Sequence, residues 1–392
     1  MKNFKSTLIA AAALLVLMLT SCDDKSKDPT NPVITTPFKF TEGFVDQVEH
    51  PTSIDVSNWM AKLDDNTKVC KLSIPGTHDA LTGMGFYDPV LKCMFNVTAL
   101  SQVSTLEQQL QHGVRFFDIR PIVSVDTVAH ARVLRCTHGM SELDITFERA
   151  LDIISGFLKT HPGEFCIVKI QHDNGTEDQI SWVPMMLELM AKSKYDDLFA
   201  DWKPDLRVGE MRGKVLFFNR VSVDGLVGAK CPWPDEDPDV DENVYYDQER
   251  SRTIESCYDS SVKSTLWVQD YYKVTTKQRQ DTKVAAVLKM LDDARTVTSV
   301  PDDNTWIVNH CSAYTFPSAQ GYVENAQVVH PRVIENLLFN TGTVGIVAMD
   351  FSCYDNVHVI VNGGTPYTSL YLYGNKPCSQ SMINLLIESN FK

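Results

Sequence analysis

Two histidines stand in short glycine-bearing motifs, His78 in Ser73-Ile74-Pro75-Gly76-Thr77-His78-Asp79 and His138 in Thr137-His138-Gly139, flanking Phe117-Asp118-Ile119-Arg120. Imidazole changes charge near neutral pH, so two of them can divide the work of a base and an acid. An arginine fork fits phosphate oxygens geometrically and stays charged. Together these residues suggest a site that cleaves a phosphodiester. Such a site calls for no metal and no cofactor.

Distant residues need a scaffold that brings them together. Short apolar runs alternate with helical patterns, and the strand candidates are 69–74, 114–119, 133–136, 165–170, 214–219, 266–269, 306–308 and 344–349. Several are apolar nearly throughout, as expected of strands covered on both faces. Phe147, Ala150, Leu151, Ile154, Phe157 and Leu158 mark one face of a helix that ends at His161-Pro162-Gly163, and Val284, Val287, Leu288 and Leu291 mark another. Eight strands interleaved with helices predict a (β/α)8 TIM-type barrel, with an open doubly wound α/β sheet as the alternative. The barrel is favoured because His78, Asp118, Arg120, His138, Arg220, Asp270 and Asp350 each fall at or just beyond the C-terminal end of an expected strand. In a barrel those ends converge on one mouth.

The 392-residue chain carries a formal charge of −14, which argues against a nucleic-acid partner, since backbone phosphate binding rests on clustered Lys and Arg. Its start, Met1-Lys2-Asn3-Phe4-Lys5 followed by an apolar run from Leu8 to Leu19 and then Thr20-Ser21-Cys22, reads as a secretory signal (1–22) with a lipoprotein cleavage site at Cys22. A polar stretch follows and reads as a flexible tether, 23–50. Residues 51–392 then form one large domain, expected to be a monomer that is exported and lipid-anchored through Cys22. The nine further cysteines include no CxxC, which argues against zinc, and Cys70, Cys136 and Cys166 lie in apolar runs where reduced, buried thiols are expected.

Read together, the motifs resemble bacterial phosphatidylinositol-specific phospholipase C. The likeness starts at Asn58-Trp59-Met60 and the 73–79 run, passes through His112-Gly113-Val114-Arg115-Phe116-Phe117-Asp118-Ile119-Arg120 and His138-Gly139, and continues at Arg212-Gly213-Lys214-Val215, 268–274 and 344–350. It implies an irregular barrel and attack of the inositol 2-hydroxyl on phosphorus, giving diacylglycerol and inositol 1,2-cyclic phosphate. By the same resemblance His78 is the base and His138 the acid, Asp350 pairs with His78, and Asp79 pairs with His138. Arg120 binds the phosphate where calcium-dependent relatives hold their metal, and Asp118 orients Arg120 or joins the proton network. Arg220 and Asp270 match residues that hydrogen-bond inositol hydroxyls, and Tyr272 matches one that packs on the ring face. Gln171 falls where the family has a lysine, with Lys169 two residues earlier on the same strand face as a possible compensation. The implied partner is phosphatidylinositol or a glycosylated inositol lipid at a membrane surface.

Competing functions are a noncatalytic inositol-phosphate or glycolipid-binding lipoprotein and a related metal-dependent phosphodiesterase. His112, His130, His161, His310 and His358 read as structural or surface residues, although His310 follows a strand end and could line the mouth. Gly76 and Gly139 read as residues that permit tight turns. The acidic run 235–242 lacks the spacing of a calcium loop and reads as a solvated loop. The apolar segment from Met84 to Phe95 reads either as a rim that enters lipid or as a lid packed on the barrel.

Overall fold

A computed structural model describes residues 48–87, 99–126, 130–172, 179–221, 225–233, 250–274, 276–313, 321–362 and 369–392. The expected signal segment with Cys22, the tether up to residue 47, the acidic run and residues 88–95 of the apolar segment lie outside them. Its strands are β1 (Ser73–Thr77), β2 (Phe116–Ile119), β3 (Pro121–Asp126), β4 (Ala131–His138), β5 (Ser141–Thr146), β6 (Cys166–Ile170), β7 (Val215–Asn219), β8 (Ala229–Lys230), β9 (Ser251–Ser256), β10 (Lys263–Gln269), β11 (Trp306–His310), β12 (Gly345–Met349), β13 (Val357–Asn362) and β14 (Ser369–Asn375).

Nine of these close a barrel in the order β1-β12-β11-β10-β9-β8-β7-β6-β2. The barrel expected from sequence is therefore present, with two corrections. The run at 133–136 belongs to β4, which pairs antiparallel with β3 and β5 in a separate three-stranded sheet. In the barrel, β8 and β9 enter between β7 and β10, and β9 runs antiparallel to both neighbours. Periodicity could not have found them, because β8 has two residues and β9 is Ser-Arg-Thr-Ile-Glu-Ser with one buried aliphatic, Ile254. The first expected strand also starts late, since residues Val69–Lys71 form a 3-10 turn.

β6, β7, β11 and β12 are buried throughout, which explains their largely apolar sequences, and β1 is buried throughout as well although its sequence is Ser-Ile-Pro-Gly-Thr. Helices α1 (Leu106–Gln111), α2 (Phe147–Thr160), α3 (Gln179–Met190), α4 (Val208–Met211), α5 (Lys277–Thr298), α6 (Gly321–Phe339) and α7 (Ser379–Glu388) lie between and after them. α2 starts where the Thr146 side chain accepts a hydrogen bond from the Arg149 amide, and it buries the expected face of Ala150, Leu151, Ile154, Phe157 and Leu158. Gly76 lies inside β1 and makes no turn: a Cβ there would stand 2.7 Å from the Phe116 ring, so glycine lets β1 and β2 approach. Gly139, with φ +56, does sit in the β4–β5 turn.

Candidate active site

Register brings the first histidine to its carboxylate. β1 and β12 run parallel with Thr77 opposite Met349, so His78 and Asp350 emerge side by side just past the strand ends. The buried Gln102 side chain clamps this edge, its Nε2 donating to the carbonyls of His78 (3.0 Å) and Met349 (2.9 Å). His78 Nδ1 lies 2.9 Å from Asp350 Oδ1 and 3.0 Å from Ser312 Oγ. The chain turns sharply at both carboxylates: Asp79 has φ 40 and Phe351, after Asp350, has φ 49. Left-handed backbone at such residues costs about 1–3 kcal/mol each and persists where surrounding structure enforces it.

The second histidine arrives by a detour. Beyond Arg120 the chain leaves β2 as β3 and returns as β4, with Pro121 opposite Cys136 and the Thr137 amide donating to the Arg120 carbonyl (2.9 Å). His138, the last residue of β4, is thereby returned to the mouth beside Arg120. It ends a strand as expected, but a strand outside the barrel. Its Nδ1 lies 2.6 Å from the Ala99 carbonyl, which can only accept, so that nitrogen carries a proton.

Asp79 joins the two halves. Its Oδ2 stands 2.9 Å from His78 Nε2 and 3.0 Å from His138 Nε2, while Oδ1 receives Arg120 Nε at 2.9 Å. The expected pairs, Asp350 with His78 and Asp79 with His138, are both in contact, and Asp79 touches His78 as well. The imidazole centroids are 5.6 Å apart. Arg120 Nη2 reaches Asp118 Oδ2 at 3.0 Å, and Lys169 Nζ meets that oxygen at 2.9 Å from β6. Asp118 thus holds Arg120 from below, and Lys169 neutralises Asp118.

Electrostatics follow from this packing. Burial alone would depress the His78 imidazole, but the charges of Asp79 and Asp350 and their hydrogen bonds outweigh it and push the group up to about 10. Burial works against the Asp118 carboxylate too, and Arg120 and Lys169 overcome it and hold the group low. With Nδ1–H turned to Asp350, Nε2 of His78 has two available partners. As imidazolium it donates to Asp79, and as the neutral ring it accepts from Arg120 Nη2 at 3.2 Å. One ring position therefore accommodates both states of a proton-transfer cycle.

The other side of the mouth is organised around Trp233. Its indole Nε1 donates to Asp270 Oδ2 (2.8 Å), and the Lys169 ammonium and Arg220 guanidinium lie 4.8 and 5.2 Å from its ring centroids. Arg220 also donates to Gln171 Oε1 at 2.9 Å. Gln171 therefore orients Arg220, while Lys169 supplies the buried cation two residues earlier. Tyr272 stands two residues past Asp270 and is half-buried. Burial disfavours the Asp270 carboxylate, yet the positive surroundings lower it.

His78, Asp79 and His138 are close enough to hold a metal ion. The donor set fits one poorly, because Asp79 already carries the Arg120 guanidinium, whose fixed charge would oppose a divalent cation. Three side chains here escaped sequence reading: Ser312, Trp233 and Tyr322. Ser312 follows a strand end and was findable by that rule, whereas Tyr322, with its hydroxyl 3.4 Å from His138 Nε2, comes from α6 and carries no such signal. His310, read as structural by default, lies 6.0 Å from His78 between ring centroids. In the apolar segment, Phe86 is buried and its backbone bridges to Leu143, while residues 88–95, on which the choice between rim and lid turns, lie outside the described residues.

Residues 93–221 match the family model described as phosphatidylinositol-specific phospholipase C, X domain. The chain is 27% identical over 311 residues to the 1-phosphatidylinositol phosphodiesterase of Staphylococcus aureus (strain Newman), covering 76% of this chain and 88% of that one. It is 28% identical over 171 residues to the enzyme of the same name from Listeria monocytogenes, covering 43% and 50%. A solved phosphatidylinositol-specific phospholipase C from S. aureus superposes with a TM-score of 0.62 at 24% identity, covering 84% of this chain and 98% of that one. That from L. monocytogenes superposes at 0.54 with 19% identity, covering 86% and 99%. At those identities the superpositions speak for the fold.

Proposed function

From the match of residues 93–221 to the phosphatidylinositol-specific phospholipase C X domain and the likeness to bacterial 1-phosphatidylinositol phosphodiesterases, we propose that the chain belongs to that family and cleaves the phosphodiester of phosphatidylinositol by intramolecular attack. His78 acts from its neutral form, whose share grows as pH rises toward about 10; with Nε2 free of its proton, it takes the proton of the inositol 2-hydroxyl as that oxygen bonds to phosphorus. His138 gives a proton to the glycerol oxygen as the phosphorus–oxygen bond breaks. Diacylglycerol leaves, and inositol 1,2-cyclic phosphate remains. Asp350 stabilises the imidazolium formed on His78, and Asp79 stabilises that of His138 before transfer. Arg120 meets the charge growing on the non-bridging oxygens. Arg220, Asp270, Gln171 and Tyr272 hold the inositol ring.

The observation that carries this reading is the shared carboxylate: two imidazoles and an arginine converge on Asp79 at a barrel mouth. A phosphate entering there meets a base, an acid and a fixed positive charge at once. The reaction so drawn needs no metal. We further propose that the protein is exported and anchored through Cys22, with residues 23–50 as the tether, so that the 51–392 domain acts on lipid at a membrane surface as a monomer. Glycosylated inositol lipids are the second substrate class.

Incubating the protein with mixed phospholipids and a chelator, and following products by phosphorus NMR, tests the reading. Cyclic inositol phosphate is the expected product, from inositol lipid only. No cyclic product from any inositol lipid would favour a binding protein, and activity lost to chelator but restored by calcium would favour a metal built on His78, Asp79 and His138.

A further inference from the structure

We propose that His310 is a specificity-determining residue of this site, its imidazole hydrogen-bonding a hydroxyl of the substrate ring; the proposal rests on the phosphodiesterase reading above. His310 ends β11 on the wall between the two halves of the mouth. Its ring meets Trp233 edge-on at 5.7 Å and His78 edge-on at 6.0 Å. The backbone is fixed: the His310 carbonyl accepts from Gln269 Nε2 (2.8 Å) and from the buried Lys283 Nζ (2.6 Å).

The ring is treated differently. His310 is completely buried, yet among the described residues neither Nδ1 nor Nε2 has a hydrogen-bond partner. Buried polar atoms in native proteins are almost always satisfied, and exceptions need an explanation such as a functional role. A ring with both nitrogens unpaired, packed between the base and the tryptophan that is hydrogen-bonded to Asp270, fits one whose partner is a ligand.

The chemistry of that partner follows from the ring's state. Burial, the largest influence, holds His310 down to about 3 against the opposing pull of Asp270, so the imidazole is neutral. A neutral imidazole offers one N–H and one lone pair, and a hydroxyl likewise donates and accepts. A phosphate group offers acceptors only and finds its match at Arg120. Trp233 now covers this wall, its indole N–H occupying the Asp270 oxygen that a ring hydroxyl would use. Entry of the ring would take the place of the indole at Asp270 and bring a hydroxyl to the buried imidazole.

The test pairs His310→Phe, which keeps the edge-on packing and removes both polar atoms, with His310→Gln, which keeps a donor and an acceptor. In His310→Phe the KM for phosphatidylinositol and the inhibition constant for myo-inositol should rise about 3- to 10-fold, the range for one neutral hydrogen bond, with kcat changing less. His310→Gln should recover part of that loss. In the wild-type protein labelled with 15N-histidine, the His310 ring signals, assigned by their absence in His310→Phe, should shift on adding myo-inositol. Unchanged myo-inositol affinity in His310→Phe, or unmoved ring signals in the wild type, would overturn the proposal. A fall in kcat alone would also overturn it, since His310 would then act only by packing on His78. Wild-type protein that makes no cyclic phosphate removes the phosphodiesterase reading, and this role with it.

Discussion

Two imidazoles 6.0 Å apart at the barrel mouth are held in opposite ways. His78 is surrounded by acceptors and charge, with Asp350, Asp79 and Ser312 all within 3.0 Å of its ring nitrogens. His310 is gripped by its backbone and, among the described residues, has no such partners on its ring. The contrast extends to the two halves of the site. Around His78 every ionised group is met by an opposite charge, so the phosphate side is arranged before substrate arrives. Around His310 the polar groups are covered by one tryptophan, so the ring side must open. On this account the first half sets the reaction and the second sets which alcohol undergoes it.

The largest effect that could break the comparison is loss of either proposed proton carrier. His78→Ala and His138→Ala should each reduce cleavage of phosphatidylinositol by about 10²- to 10⁴-fold, read as cyclic phosphate release. Full turnover by either variant removes the mechanism. Next is Arg120→Lys, expected to lower kcat by roughly 10²-fold with the fold retained by circular dichroism, because an ammonium cannot hold Asp79, Asp118 and two phosphate oxygens in one plane. Near wild-type kcat would reduce Arg120 to a structural ion pair.

On the ring side the effect should fall mainly on KM. Arg220→Ala, which also removes one hydrogen bond to Gln171, should raise KM for phosphatidylinositol by about 10-fold, with kcat affected less. A loss of kcat alone would place Arg220 with the phosphate machinery and dissolve the division between halves.

The smallest effect concerns pH and stability. His78 rises from an ordinary value near 6.5 to about 10, so its contribution is full below about pH 6.5 and is lost as pH rises through 10. His310 falls to about 3, so its contribution is present above about pH 6.5 and is lost as pH falls toward 3. The difference in Tm between wild type and His78→Gln should therefore shrink from pH 6 to pH 10, and that between wild type and His310→Phe should move against the wild type from pH 7 to pH 4. Parallel pH dependence in the two variants would contradict the opposite electrostatics.

The two halves also differed in how far sequence revealed them. β6, β7, β11 and β12 advertise themselves as apolar runs because both their faces are buried, and the rule that polar residues cluster at strand ends located His78, Asp350, Asp270 and Arg220. His138 ended a strand as expected, but pairing decides which sheet that strand joins, and periodicity does not encode pairing. β8 and β9 were illegible for the same reason, being short or polar and stabilised by neighbours. Trp233 and Tyr322 reach the mouth from segments with no strand signal. His310 was legible as a strand-end residue, but its unpaired ring depends on contacts that only the folded chain defines.

The division of labour between the two imidazoles is tested most directly by changing the leaving group. An acid is needed only when the departing oxygen is basic, so an inositol phosphate ester of p-nitrophenol should leave without protonation. Cleavage of that ester and of phosphatidylinositol would be compared in wild type, His78→Ala and His138→Ala. The account predicts that His138→Ala recovers most of its lost rate on the nitrophenyl ester while His78→Ala remains impaired on both. Equal impairment of His138→Ala on the two substrates, or rescue of His78→Ala instead, would contradict the assignment.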